Sequence, residues 1–106
     1  MKTPLNQNTA KILGQTGTDT QVVPANGQEF TLSELQQIVG GNIEILHPPQ
    51  QRDLILVVNE WGKAIPSLQK NELASRLWQE GCEPGSPRSQ DDIVGDVLLC
   101  HINQVN

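Results

Sequence analysis

The stretch Asp53-Leu54-Ile55-Leu56-Val57-Val58-Asn59 decides the fold, because it carries apolar side chains on both faces of an extended chain. Side chains alternate between the two faces of a strand, so this run predicts a strand that is covered on both sides. Residues 42–47 alternate well enough for a partner strand with Ile43 and Ile45 facing the core. Between them, Pro48-Pro49-Gln50-Gln51 predicts a turn, since proline cannot join a central strand. We predict that this meander forms the centre of a sheet.

One helix is predicted before this meander in the sequence and one after it. Residues 31–39 begin with Thr31-Leu32-Ser33-Glu34, a capping box whose first and last residues each bond to the other's backbone N–H. Gly40-Gly41 ends this helix, because glycine adopts the left-handed conformation that closes the last turn. Residues 67–80 form a second helical pattern, whose apolar stripe consists of Leu73, Ala74, Leu77 and Trp78.

Three further strands complete the pattern. Ala10-Lys11-Ile12-Leu13 and Gln21-Val22-Val23 flank a turn rich in glycine and threonine and predict a loose hairpin. Val97-Leu98-Leu99-Cys100-His101-Ile102 predicts a last, buried strand. The order of elements contains no regular β-α repeat, so the predicted fold class is α+β: a single mixed or antiparallel sheet of about five strands with two helices packed on it. Residues 1–9 are expected to form a flexible tail, and residues 10–106 one domain.

Charge and hydropathy narrow the class of function. Twelve acidic residues against seven basic ones give a formal charge of −5, so the molecule as a whole offers no positive field and direct DNA binding is disfavoured. No run approaches the roughly 20 apolar residues of a membrane span, and the first residues lack the apolar stretch of a signal peptide. We therefore expect a cytoplasmic protein with no membrane partner, in which Cys82 and Cys100 are free thiols.

Candidate catalytic and metal-binding groups are few. No nucleophile motif accompanies His47 or His101 in the local sequence. Cys100 and His101 are neighbours on a predicted strand, so their side chains diverge and would rarely share a proton or one metal ion. The remaining candidate for a metal site or a phosphoesterase is the acidic group Asp91, Asp92 and Asp96. Solvation and edge protection are the commoner role of such a group, and we expect no catalysis, no cofactor and no metal.

The candidate binding site is the turn Asn59-Glu60-Trp61-Gly62-Lys63, predicted as a tight turn with Gly62 at positive φ, followed by a short strand at residues 64–65. Tryptophan at a turn tip either folds back over its own hairpin or exposes a large flat surface to a partner. In the second case, the indole would stack on or anchor a ligand, with basic side chains beside it for an anionic group. The predicted ligand- or partner-binding residues are Asn59, Glu60, Trp61, Lys63, Arg52 and Arg88.

Three stretches together form a recognisable pattern: Leu35-Gln36-Gln37-Ile38-Val39-Gly40-Gly41-Asn42-Ile43-Glu44, Leu56-Val57-Val58-Asn59-Glu60-x-Gly62-Lys63 and Asp92-Ile93-Val94-Gly95-Asp96-Val97-Leu98-Leu99. In them the chain resembles the domain of unknown function numbered 3846 (DUF3846), a family of short proteins from bacteria, phages and mobile elements. The resemblance covers about residues 10–102 and implies a fold class and a genomic setting, with no established catalytic residue. Ile65-Pro66-Ser67-Leu68 departs from the Leu-Pro-x-Asn run that is common in the family, and residues 82–90 look like an insertion.

These observations lead to two hypotheses from different classes. The first is a small non-enzymatic accessory protein of phage or mobile-element type that acts by binding in counter-defence. It would sequester a small signalling nucleotide in a pocket between protomers, or it would block a host protein. The alternative is a structural or regulatory homo-oligomeric module with no small-molecule ligand. The basis for this alternative is the last strand, which carries little charge after Asp96 and would be prone to aggregation if its edge stayed open.

Overall fold

The computed structural model describes residues 10–105, so the tail expected at residues 1–9 lies outside the described residues. The strands are β1 (Ala10–Leu13), β2 (Asp19–Val22), β3 (Ile43–Leu46), β4 (Leu54–Asn59) and β5 (Val97–His101). The helices are α1 (Leu32–Val39) and α2 (Glu72–Gln79), and short 3-10 helices occupy Gly62–Ala64, Pro87–Gln90 and Ile102–Gln104. Within residues 10–105, no helix is long and apolar enough to cross a lipid bilayer.

One five-stranded sheet has the order β2-β1-β5-β4-β3, and every neighbouring pair is antiparallel. The predicted α+β class, with a single sheet and two helices, is therefore confirmed. One detail of the prediction was wrong: the meander of β3 and β4 is not central, because β3 is an edge strand. The last strand, β5, is buried as predicted, and β1 and β4 pair with its two sides.

The interior position of β5 follows from its side chains. Val97, Leu98, Leu99 and Cys100 are all buried, so the strand is apolar on both faces and is stabilised most where both faces are covered. The edge strand β2 is the opposite case, since Asp19, Thr20 and Gln21 are exposed. The homo-oligomer hypothesis depended on an open, aggregation-prone edge at the last strand, and β5 has no such edge.

The side chains of β4 enter two separate apolar clusters, one on each face of the sheet. Ile55 and Val57 pack with the apolar side of α1, whereas Leu56 and Val58 pack with that of α2. This arrangement confirms that the stretch is covered on both sides. Ile45 was expected to face the core, but the core covers it only partly, and its side chain stays 36% exposed on the edge strand β3.

The capping box predicted for α1 is present. Thr31 Oγ1 accepts from the N–H of Glu34 at 3.2 Å, and Glu34 Oε1 accepts from the N–H of Thr31 at 2.8 Å. The second carboxylate oxygen, Oε2, accepts from the N–H of Ala25 at 3.0 Å. Gly40 ends the helix in the left-handed conformation, with φ 82°. The hydrogen bond from the Thr31 backbone, followed by that from Ala25, lowers the pKa of Glu34 below its ordinary value of 4.5.

We expect the stability contributed by Glu34 to be complete above about pH 4.5 and to be lost as the pH falls through its lower folded-state pKa. The variant Glu34→Gln keeps one acceptor oxygen and loses the charge. It should therefore unfold at lower urea than the wild type at pH 7, and the difference should shrink at acidic pH. Glu83→Gln, at an exposed loop position, is the control. A difference between Glu34→Gln and wild type that stays constant from pH 7 to acid would contradict this assignment.

The second helix begins later than the pattern predicted. Residues 67–80 were expected to be helical, but α2 starts at Glu72 with Asn71 as its N-cap. The preceding backbone bonds across to another segment instead: the N–H of Asn71 donates to Ile93, and the N–H of Gly95 donates to Gln69. These bonds hold residues 69–71 extended, so the helix cannot include them.

Candidate functional site

Asn59 ends β4 and fixes the turn that carries the candidate site. Its side chain is buried, Nδ2 donates to the carbonyl of Val39 at 3.2 Å, and Oδ1 accepts from the N–H of Trp61 at 2.8 Å. The N–H of Glu60 donates to the carbonyl of Asn42 at 2.8 Å. The turn is therefore tied both to the end of α1 and to the residue before β3. A turn held in this way has little conformational freedom to lose when it binds a partner.

The conformation predicted for Gly62 was wrong. Its φ is not positive, and the chain enters a 3-10 helix at Gly62–Ala64 instead of a tight hairpin and a short strand. The N–H of Ala64 donates to the carbonyl of Trp61 at 2.9 Å and closes this helical turn. Space explains the glycine, since a Cβ at this position would lie only 3.0 Å from Val94 Cγ2. Close packing against Val94, rather than backbone conformation, favours glycine at position 62.

Trp61 stands on this turn with 61% of its surface exposed. Of the two interpretations left open by the sequence, the structure therefore shows the exposed indole and not one folded back over its hairpin. A tryptophan side chain buries about 150–250 Å² when it is covered, and apolar burial contributes about 25 cal/mol per Å². Covering the exposed part of Trp61 would contribute about 2–4 kcal/mol of transfer free energy to a complex.

Asp91 contacts Lys63 directly and is linked to Arg88 through the ring of Trp78. Its Oδ1 pairs with Lys63 Nζ, and its Oδ2 accepts from Trp78 Nε1 at 3.1 Å. The guanidinium of Arg88 lies over the Trp78 ring, 5.7 Å from its centre, within cation–π range. Lys63 and Arg88 were predicted to meet an anionic ligand, but both already contact groups of their own chain.

A shallow cleft, here called the acidic cleft, lies beside the turn. The volume in it that the centre of a water molecule can reach is about 160 Å³. Two of its four carboxylates are paired: Asp91 with Lys63, and Asp92 with Lys70 at 3.7 Å. Its lining residues are Glu44, Leu46, Val58, Asn59, Glu60, Lys63, Asp91, Asp92, Ile93 and Val94.

Arg52 lies away from the other predicted site residues. It is exposed in the turn that precedes β4, whereas Asn59 ends the same strand. The six residues of β4 span about 20 Å, so Arg52 and Trp61 lie at opposite ends of this strand. The structure therefore brings Asn59, Glu60 and Lys63 to one cleft, places Trp61 next to it, and separates Arg52 from the group.

The other chemically notable side chains do not form a cluster. Within residues 10–105, no three His, Cys, Asp or Glu side chains come close enough together to hold a metal ion. Cys100 is buried, and this burial raises the pKa of its thiol to about 12. Asp96 accepts from the N–H of Gln15 at 3.0 Å and does not line the acidic cleft.

Sequence reasoning missed two members of this region. Trp78 was assigned only to the apolar stripe of a helix, and Glu44 only to the polar face of a strand. Trp78 and Asp91 are 13 positions apart, and no local spacing indicates their hydrogen bond. The position of Glu44 in the cleft follows from the pairing of β3 with β4, which alternation of polarity alone does not specify.

One of three comparisons with known proteins supports the resemblance seen in the sequence. Searches of curated proteins and of solved structures find no match for this chain. The family model described as a domain of unknown function, DUF3846, matches residues 12–105, which include every strand and helix except the first two residues of β1. On this match, the chain belongs to the DUF3846 family.

Proposed function

We propose that this chain is a small non-enzymatic protein that binds another protein through the turn at residues 59–63, with Trp61 as the anchor. The observation that carries the proposal is a 61% exposed indole on a turn whose backbone is fixed by Asn59. Tryptophan is enriched among residues that dominate binding energy, and a preorganised turn avoids the entropy cost of ordering. In the bacterial, phage and mobile-element setting of the family, we propose a cytoplasmic host protein as the partner, which the chain blocks in counter-defence.

The charges beside Trp61 favour a protein over the alternative ligand, a signalling nucleotide. A phosphate would meet Glu44 and Glu60, which have no ion-pair partner within the described residues, while the ammonium of Lys63 is taken by Asp91. Like charges in a cleft repel an anionic ligand. A panel of cyclic and linear nucleotides at saturating concentration should therefore leave the melting temperature unchanged, because only binding to the folded state raises it. A nucleotide that raises it would instead support sequestration.

The test of the proposal uses tagged wild-type protein, Trp61→Ala and Val23→Ala as baits in bacterial host lysate, with quantitative mass spectrometry of captured proteins. Val23 is the matched control, since it is an apolar residue with 59% exposure elsewhere on the surface. We expect at least one protein to be recovered by wild type and Val23→Ala and reduced about ten-fold or more with Trp61→Ala. Equal recovery of every captured protein by all three baits would contradict the role of Trp61.

A further inference from the structure

We propose that the open edge of β3 binds an extended segment of the partner in which apolar and basic residues alternate. This inference rests on the proposed function, because it requires a protein partner, and it adds the chemistry of the segment that is recognised. The recognition would be strand addition, in which main-chain hydrogen bonds hold the segment and alternate side chains enter sites on either face.

The backbone of β3 is open on one side. Within residues 10–105, β3 lies at the edge of the sheet, and β4 is its one neighbouring strand. The N–H of Glu60 donates to the carbonyl of Asn42, and bonded pairs alternate along an antiparallel ladder, so Glu44 also bonds to β4. Ile43 and Ile45 therefore direct their N–H and C=O groups away from β4. Such a row of outward groups is a template for another strand.

The face of β3 that is shared with α1 has an apolar groove. Its volume is about 350 Å³, and two of its apolar lining residues are exposed: Leu32 by 58% and Ile45 by 36%. Six of its nine lining residues are apolar, namely Phe30, Leu32, Leu35, Ile43, Ile45 and Val105, and the other three are Asn26, Glu29 and Thr31. Side chains of an added strand that point to this face would therefore be apolar.

The opposite face of β3 borders the acidic cleft. Glu44 and Leu46 alternate with the two isoleucines and line that cleft, together with Glu60. Within residues 10–105, neither Glu44 nor Glu60 forms an ion pair. Alternate side chains of the added strand would point here, and lysine or arginine would complement the two unpaired carboxylates. The two faces together specify an apolar–basic alternation.

A second copy of the chain fits this edge less well than a basic segment. If two β3 edges paired about a two-fold axis with Ile43 opposite Ile45, Glu44 would lie directly opposite its own copy. Like charges in directly opposite positions destabilise a pair of strands, and each chain also carries a formal charge of −5. We therefore assign the edge to a different protein.

The test uses two synthetic peptides with blocked ends, one of alternating valine and lysine and one of alternating valine and glutamate. Each is titrated into ¹⁵N-labelled protein. We expect the valine–lysine peptide to bind about ten-fold or more tightly than the other, and to protect the amides of Ile43 and Ile45 from hydrogen exchange. Ile45→Pro removes an outward N–H without touching the ladder and should abolish binding, whereas Gln21→Pro on the other edge strand, β2, should not.

The second variant, Glu44→Lys, reverses a charge and tests the proposal even if Ile45→Pro does not fold. Glu44→Lys should lower the affinity for the valine–lysine peptide and raise that for the valine–glutamate peptide, while Glu83→Lys in the exposed loop should change neither. Equal binding of both peptides to wild type, or no binding of the valine–lysine peptide at about 1 mM, would overturn the proposal. Trp61-dependent capture of a protein from lysate could still be observed in that case. The proposal for the β3 edge would then be wrong, while the proposed function would stand.

Discussion

Replacing Asn71 with alanine is expected to lower the free energy of unfolding by about 3–4 kcal/mol, measured by urea denaturation. Asn71 is fully buried, and its Oδ1 caps α2 by accepting from the N–H of Ala74 at 3.0 Å. Its Nδ2 donates to two carbonyls, those of Leu13 and Gly95, each at 2.8 Å. Loss of a cap costs about 1 kcal/mol, and each of the two buried hydrogen bonds that Nδ2 donates contributes about 1–1.5 kcal/mol.

A comparison of three variants separates the cap from the amide donor. Asn71→Asp keeps an oxygen that can cap the helix but places a carboxylate against two carbonyl oxygens, so it should be at least as destabilising as Asn71→Ala. Asn26→Ala is the control, because that exposed side chain also accepts two backbone N–H bonds but leaves no buried group unpaired; it should cost below about 1 kcal/mol. If Asn71→Ala were no more destabilising than Asn26→Ala, the structural role assigned to Asn71 would be wrong.

The second large effect is expected from Asn59→Ala, at about 2–3 kcal/mol of unfolding free energy. This substitution leaves the carbonyl of Val39 and the N–H of Trp61 without their side-chain partners. The turn should then lose its fixed geometry. In relaxation measurements, the order parameter of the Trp61 backbone N–H, which donates to Asn59, should fall from the range of rigid backbone, about 0.85, to below about 0.6.

Asn42→Ala is the matched control for Asn59→Ala. Asn42 is exposed, and among the described residues its side chain accepts only from Gln36 Nε2, at 3.5 Å, while its backbone carbonyl accepts from Glu60. The substitution should cost below about 0.5 kcal/mol and leave the order parameter of the Trp61 backbone N–H unchanged. A Trp61 backbone N–H that is equally mobile in wild type and Asn59→Ala would show that Asn59 does not preorganise the turn.

Most of the fold could be predicted because its signals are local. The capping box at Thr31 and Glu34, the left-handed Gly40 and the apolar run at residues 54–59 each specify their element within a few residues. The position of β5 could not be read in the same way. A strand that is apolar on both faces belongs inside a sheet, but its neighbours are decided by pairing across more than 80 positions, as between Leu99 and Lys11.

The site was predictable only in part, for the same reason. The nearness of Trp61, Glu60 and Lys63 follows from one short turn, and sequence reasoning placed these residues together, but it left open whether Trp61 is exposed. Arg52 was included for its chemistry, but it lies at the other end of β4. Asp91 engages Lys63 through a tertiary contact 28 positions away, which no motif in the sequence indicates.

The measurement that most directly tests binding through Trp61 is the affinity of purified wild-type protein, Trp61→Ala and Val23→Ala for the protein captured from lysate, by isothermal titration calorimetry. An anchor whose covering contributes about 2 kcal/mol or more corresponds to a loss of about 30-fold or more in affinity. We predict this loss for Trp61→Ala and a change below about three-fold for Val23→Ala. Equal affinities of wild type and Trp61→Ala would contradict the account.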